Sequence, residues 1–170
     1  MAPKRSRPKH SGADSAGTPA TVALSKASID YRLHPYAHHA DATGYGEEAA
    51  EQLGVDPHQI FKTLVADVGG QLVVAVVPVA QHLDLKALAR ARGAKKAELA
   101  DPQVATRSSG YVLGGISPIG QRTKLPTVID SSARNFPMIF VSAGRRGLQV
   151  ELSPADLIAV TDAQVQPIAA

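Results

Sequence analysis

The stretch Ile60-Phe61-Lys62-Thr63-Leu64-Val65-Ala66-Asp67-Val68-Gly69-Gly70-Gln71-Leu72-Val73-Val74-Ala75-Val76-Val77-Pro78-Val79 decides the fold of this 170-residue chain. Residues 60–68 and 71–79 are rich in branched apolar side chains and read as strands. Gly69-Gly70 between them is a two-residue hairpin turn. Residues 72–77 are apolar on both parities, which places the second strand centrally in a sheet covered on both faces. The first strand carries an oddity. Lys62 shares parity with Ile60, Leu64, Ala66 and Val68, whereas Asp67 falls on the other side. A lysine on the apolar side either reaches water at the strand end or points into a solvated pocket, and parity leaves both open.

Outward from the hairpin, punctuation sets the other elements. Thr18-Pro19 is a cap followed by proline, opening a helix over residues 20–27, and a strand follows near 31–36. Residues 46–53 read as a helix closed by Gly54. Asp84 caps a helix running to Arg92 and stopped by Gly93, and a short helix is expected over 101–107. Strands are expected near 127–130 and 138–141, and Gly144-Arg145-Arg146-Gly147 turns the chain into a strand over 148–152. Ser153-Pro154 opens a last helix. Strands joined by hairpins as well as by helices give an α+β class with a mixed, largely antiparallel sheet.

Length fits a single domain over residues 18–170. Hydrophobic content of 44% and charged content of 19% are those of an ordinary soluble protein. No run is long and apolar enough for a bilayer, so the expectation is a cytoplasmic protein without membrane contact. Cysteine is absent, which excludes disulfides, thiolate ligands and a cysteine nucleophile. The net charge of +3 resides in the first residues, where Lys4, Arg5, Arg7 and Lys9 face Asp14 alone; the rest of the chain is balanced. Residues 1–17 therefore read as a disordered basic tail. The folded body has no global positive field with which to attract nucleic acid.

A second stretch carries the chemistry. Gly110-Tyr111-Val112-Leu113-Gly114-Gly115-Ile116-Ser117-Pro118-Ile119-Gly120 is too rich in glycine and proline for a good helix or strand. Backbone of this kind approaches ligands closely and offers amides to a carbonyl or an anion. It is not a Walker loop, since Gln121-Arg122 follows, and it lacks the spacing of a dinucleotide turn. Nucleotide cofactors are thus disfavoured. His34, His38, His39, His58 and His82 lack metal-site spacing and read as surface or hydrogen-bonding histidines, so no metal or other cofactor is expected. No Gly-x-Ser-x-Gly elbow exists. Ser142 ends a strand, where it can bond a ligand or its own backbone, and Tyr36 and Tyr45 flank a polar loop. Lys95-Lys96, Arg122 with Lys124, and Arg145-Arg146 are exposed basic pairs.

Several segments, taken together and in this order, resemble one family. They are Phe61-Lys62-Thr63-Leu64, Gly93-Ala94-Lys95-Lys96, Ala100-Asp101-Pro102, Arg107-Ser108-Ser109-Gly110-Tyr111, Gly114-Gly115-Ile116-Ser117-Pro118-Ile119-Gly120-Gln121, Leu125-Pro126-Thr127-Val128-Ile129-Asp130, and Val141-Ser142 followed by Gly144, Arg146, Gly147 and Leu148. The chain resembles the YbaK-type Cys-tRNA(Pro) deacylases, relatives of the editing domain inserted in bacterial prolyl-tRNA synthetase. The likeness runs from about residue 18 to 162. It implies a barrel-like mixed sheet flanked by helices, with a cleft for the 3′ end of a mischarged tRNA. It implies Lys62, Gly114 and Gly115 as catalytic residues, and Tyr36, Tyr45, Ile116, Ser117, Pro118, Ser142 and Gln149 as substrate-binding ones. Relatives carry phenylalanine at the position of Tyr45 and, in some, an acid at that of Gln149.

The resemblance also implies the chemistry: the substrate's own cysteine thiol attacks its ester carbonyl and releases tRNA. An attached thiol has the advantage of an intramolecular reaction. The protein then folds the aminoacyl group back, while loop amides and Lys62 stabilise the oxyanion. The expected activity is trans-acting hydrolysis of Cys-tRNA(Pro), or of Cys-tRNA(Cys), with prolyl-tRNA synthetase as a partner that captures the tRNA. The alternatives are an Ala-tRNA(Pro) deacylase using bound water, and a non-catalytic tRNA- or synthetase-binding module.

Overall fold

The computed structural model describes residues 17–39 and 44–170. All but one residue of the expected basic tail, and residues 40–43 of the polar loop, lie outside the described residues. In chain order the elements are α1 (Pro19–Lys26), β1 (Arg32–Pro35), α2 (Tyr45–Leu53), β2 (Phe61–Val68), β3 (Gln71–Pro78), α3 (Leu85–Ala91) and β4 (Ala97–Leu99). Then come α4 (Pro102–Ser109), β5 (Thr127–Asp130), a 3-10 turn (Ser131–Asn135), β6 (Ile139–Arg145), β7 (Leu148–Leu152), α5 (Pro154–Thr161) and β8 (Gln164–Gln166).

The hairpin forms as its sequence dictates. Phe61 pairs with Pro78 and Val68 with Gln71, and the two turn glycines have φ of 61° and 92°. Positive φ at both positions is what a tight hairpin turn requires. β3 does lie centrally, in the five-stranded order β4-β2-β3-β5-β8. β2 pairs antiparallel with β3 and β4, whereas β3–β5 and β5–β8 are parallel. The second sheet, β1-β7-β6, is antiparallel throughout.

The main core lies between the sheets. Phe61, Val74, Val76 and Ile129 from one meet Val141, Leu148, Val150 and Leu152 from the other, closed by Leu24 of α1 and Leu157 of α5. Full burial of one such leucine contributes about 2–3 kcal/mol. The opposite face of the large sheet, through Ala66, Val73, Ala75 and Val77, packs on Leu88 of α3. α2 covers a third cluster with Ala49 and Ala50 against Ile60, Val79 and Phe140.

The caps read from the sequence hold. Thr18 accepts a hydrogen bond from the Thr21 amide, Asp84 from Ala87 and Ser153 from Asp156, while Asp101, expected inside its helix, stands just before it and caps it by accepting from the Gln103 amide. Three expectations need correction. The sheets do not close into a barrel: among the described residues their one ladder contact is a parallel bridge between Ile60 and Phe140. β4 and β8 were not expected. Each is a three-residue edge strand without alternation, and its pairing is set by the neighbouring backbone. β6 extends beyond residue 141 to Arg145, with a bulge between Ser142 and Arg145 before the turn. No described helix is long and apolar enough to cross a membrane.

Candidate functional site

One edge of β2 builds the site. At its start that edge meets β6, where the Phe140 amide donates to the Gln59 carbonyl at 3.1 Å. At its far end β4 takes over, pairing with Ala66, Asp67 and Val68. The intervening residues, Phe61, Lys62, Thr63, Leu64 and Val65, line a cavity of about 470 Å³. Its other walls are the start of α2 with Tyr45, the start of α4 with Pro102 and Ala105, the loop residues Leu113, Gly114 and Ile116, and Ser142 and Gln149 of the smaller sheet. Lys62 is thus among the residues lining this cavity. Among the described residues it has no ion-pair partner.

The glycine-rich segment is fixed from several sides. Tyr111 is buried and donates its hydroxyl to the Ile119 carbonyl at 2.6 Å. Ser117, fully buried, accepts from the Ile119 amide, and Gln121 donates to the Ser117 carbonyl at 3.0 Å. The Gly115 amide donates to Val112 at 3.0 Å, closing a turn. The Gly114 and Ile116 amides have no acceptor among the described residues, and both residues line the cavity. Gly115 serves a close approach instead: a Cβ there would fall 2.8 Å from the Arg145 Cα.

Tyr45 and Arg146 clamp the loop from outside. The Arg146 guanidinium lies 5.1 Å from the centre of the Tyr45 ring, and its Nε donates to the Leu113 carbonyl at 2.7 Å. Behind Tyr45, the His38 ring donates to Glu48 Oε1 at 2.7 Å and the His39 amide to Oε2 at 3.0 Å. Those bonds, the His39 amide foremost, hold the buried Glu48 carboxyl below its usual range. The other histidines described with partners also meet single carboxylates, His34 on Glu151 and His58 on Asp56. Among the described residues no group of three potential ligands is placed to hold a metal.

Of the residues expected at a site, Lys62, Tyr45, Gly114, Ile116, Ser142 and Gln149 meet around this cavity. Ser142 also accepts from the Gly144 amide at 3.2 Å. Four do not line it. Tyr36 packs on the α2 cluster and bonds Gly147 through its amide. Gly115 and Ser117 are committed inside the loop, and Pro118 faces a smaller cavity behind it. Arg146, read as one of several exposed basic pairs, was missed as a clamp because its ring partner lies a hundred residues earlier. Thr63 was missed because threonine in a strand is unremarkable. Its Oγ1 and Gln149 Oε1 are buried with no hydrogen-bond partner among the described residues.

Residues 39–160, most of the chain and all of the cavity's walls, match a family model described as an aminoacyl-tRNA editing domain. The chain belongs to the aminoacyl-tRNA editing domain family. An Enterococcus faecalis protein, EbsC, to which Cys-tRNA(Pro)/Cys-tRNA(Cys) deacylase activity is ascribed by name, is 41% identical over 142 residues, covering 82% of this chain and 85% of its own. The Escherichia coli K12 protein named multifunctional Ser/Thr-tRNA deacylase ProXp-y is 31% identical over 147 residues, 84% and 86% of the two chains. A crystal structure described as a trans-editing enzyme for prolyl-tRNA synthetase superposes with a TM-score of 0.77 at 24% identity, covering 89% of this chain and 95% of that chain. The fold is therefore the editing-domain fold, and the expectation of an aminoacyl-tRNA hydrolase agrees with the family and with the relatives' names.

Proposed function

We propose that this editing domain hydrolyses the ester of cysteinyl-tRNA(Pro), releasing cysteine and intact tRNA. One observation carries the reading: Lys62, Gly114, Ile116 and Ser142 border a single cavity that, among the described residues, has neither a cysteine nor a metal-holding cluster. An ester carbonyl held at the glycine loop would direct its developing negative charge at the two uncommitted amides and the Lys62 ammonium. Such preorganised donors supply the larger part of many acyl-transfer accelerations. Ile116 takes the place expected for Gly115, whose amide is spent on Val112.

The attacking atom comes from the substrate or from water. The cysteine thiol is already attached, so its attack on the carbonyl needs no further encounter; it expels the tRNA 3′ oxygen, which takes up the thiol proton, and leaves a cyclic thioester that water opens to free cysteine. The 41% identity to a protein named for Cys-tRNA deacylation supports that substrate. Because the body of the chain is charge-balanced, tRNA capture falls to a partner, and prolyl-tRNA synthetase is the one proposed.

The test is Lys62→Ala with cysteinyl-tRNA(Pro). Loss of one oxyanion-stabilising group lowers kcat by about 100-fold. Undiminished deacylation removes Lys62 from the mechanism, and tRNA binding without turnover by the unmodified protein leaves only the binding-module reading.

A further inference from the structure

The cavity has one charge of each sign. Among the described residues that line it, Lys62 of β2 is the only cation and Glu47 of α2 the only anion. They stand on different elements and do not pair with each other. Of the two acids in the first turn of α2, Glu48 is consumed, its two carboxylate oxygens taken by His38 and His39. Glu47 is exposed at the cavity's rim, with no hydrogen-bond or ion-pair partner among the described residues.

The local packing fixes where that carboxylate stands. Gly46 presses on Val79, where a Cβ would fall 2.7 Å from Cγ2, so the start of α2 is held in place. The Glu47 carboxylate lies back over Gly44, which also lines the cavity: a Cβ on Gly44 would fall 2.5 Å from Glu47 Oε2. A side chain at position 44 would push the carboxylate off that wall.

We propose that Glu47 takes the α-ammonium of the bound aminoacyl ester, so that the cavity reads a free amino group. The inference rests on the deacylase reading above and adds what the site accepts and what it refuses. An aminoacyl ester carries a cation one carbon away from the carbonyl under attack. Between a fixed cation and a fixed anion such an ester has one favourable orientation. Its ammonium faces Glu47 and is repelled by Lys62, which turns the carbonyl towards Lys62 and the glycine loop. An ester without a charged nitrogen, N-acylated ones included, takes water from Glu47 and returns no ion pair.

The experiment compares kcat/KM for cysteinyl- and β-mercaptopropionyl-tRNA(Pro), each divided by that ester's spontaneous hydrolysis rate. The second ester keeps the thiol and lacks the amino group. The proteins are the unmodified chain and Glu47→Gln, with thermal melts confirming the fold of the variant. The expected result is a preference of about five-fold for the cysteinyl ester in the unmodified protein, the size of a well-made exposed ion pair. In Glu47→Gln it falls towards one, through loss on the cysteinyl ester alone. No preference in the unmodified protein overturns the subsite and leaves the deacylase reading intact. A preference kept at full size in Glu47→Gln overturns it as well, since another group then holds the ammonium. Equal slowing of both esters does the same, because Glu47 then serves only the positive end of α2. Absence of turnover with either ester in the unmodified protein overturns the deacylase reading and the subsite with it.

Discussion

The ring of Tyr45 occupies the space where a side chain on residue 114 would stand: a Cβ built on Gly114 falls 2.7 Å from Tyr45 Cδ1. Gly114 also has φ of +80°, where a side chain is strained. Gly114→Ala therefore displaces the loop or the ring. Displacement of about 1 Å in groups that position a substrate costs about 100-fold in rate, so a fall of that order in deacylation is expected. Removing the ring should relieve the collision. In a Tyr45→Ala background the same substitution keeps only its backbone strain, and the two changes should be strongly non-additive in a kinetic double-mutant cycle.

Arg146 closes the same clamp from solvent. Its ring contact is worth about 1 kcal/mol at an exposed site, and its Nε holds the Leu113 carbonyl. Arg146→Ala should lower kcat/KM by about five-fold, the equivalent of that energy. Amide exchange across residues 112–116 should quicken in parallel. Arg146→Lys should recover little, because an ammonium has no planar face and no Nε at the bond's position. Full recovery by lysine would show that charge alone matters.

Much of this arrangement is legible in the chain, for reasons that can be traced. The hairpin is written in local terms, by branched residues on both sides of Gly69-Gly70, and the helix caps likewise. The oddity of Lys62 is visible from strand parity, although its destination is not. That depends on β4 stopping at the partner of Ala66, which no feature of Ala97-Glu98-Leu99 announces. The glycine loop stands out by composition, but which of its amides are free depends on a turn bond from Gly115 to Val112. Tyr36 was expected beside Tyr45 in the pocket. The first is drawn away by the pairing of its amide with Gly147, a contact set by the register of β1 on β7.

Glu48 fastens the approach to Tyr45, and its ionisation sets a pH limit. Its carboxyl is held low in the folded chain by the His39 amide and the His38 ring. A carboxyl depressed on folding contributes stability that is present above its ordinary pKa and lost as pH falls through the folded value. Protection factors of α2 amides, corrected for intrinsic exchange, should stay level from neutrality down to the ordinary glutamate range and then decline. In Glu48→Ala the protection should already be lower at neutral pH, with that acid step missing.

Tyr111 gives the opposite limit. Burial pushes its hydroxyl above the ordinary tyrosine range, despite the neighbouring Ala20 amide, which acts the other way. That hydroxyl ties the loop together through the Ile119 carbonyl. Tyr111→Phe should cost about 1–2 kcal/mol, since a buried bond is lost. A raised pKa means that the unfolded chain gives up its proton first, so this contribution is complete below about pH 10 and drains away above it. Urea unfolding across alkaline pH should show a gap between the unmodified protein and Tyr111→Phe that narrows as pH climbs past that point. A gap of constant width would mean that the hydroxyl ionises as readily in the fold as outside it, and that the loop is held by its other bonds.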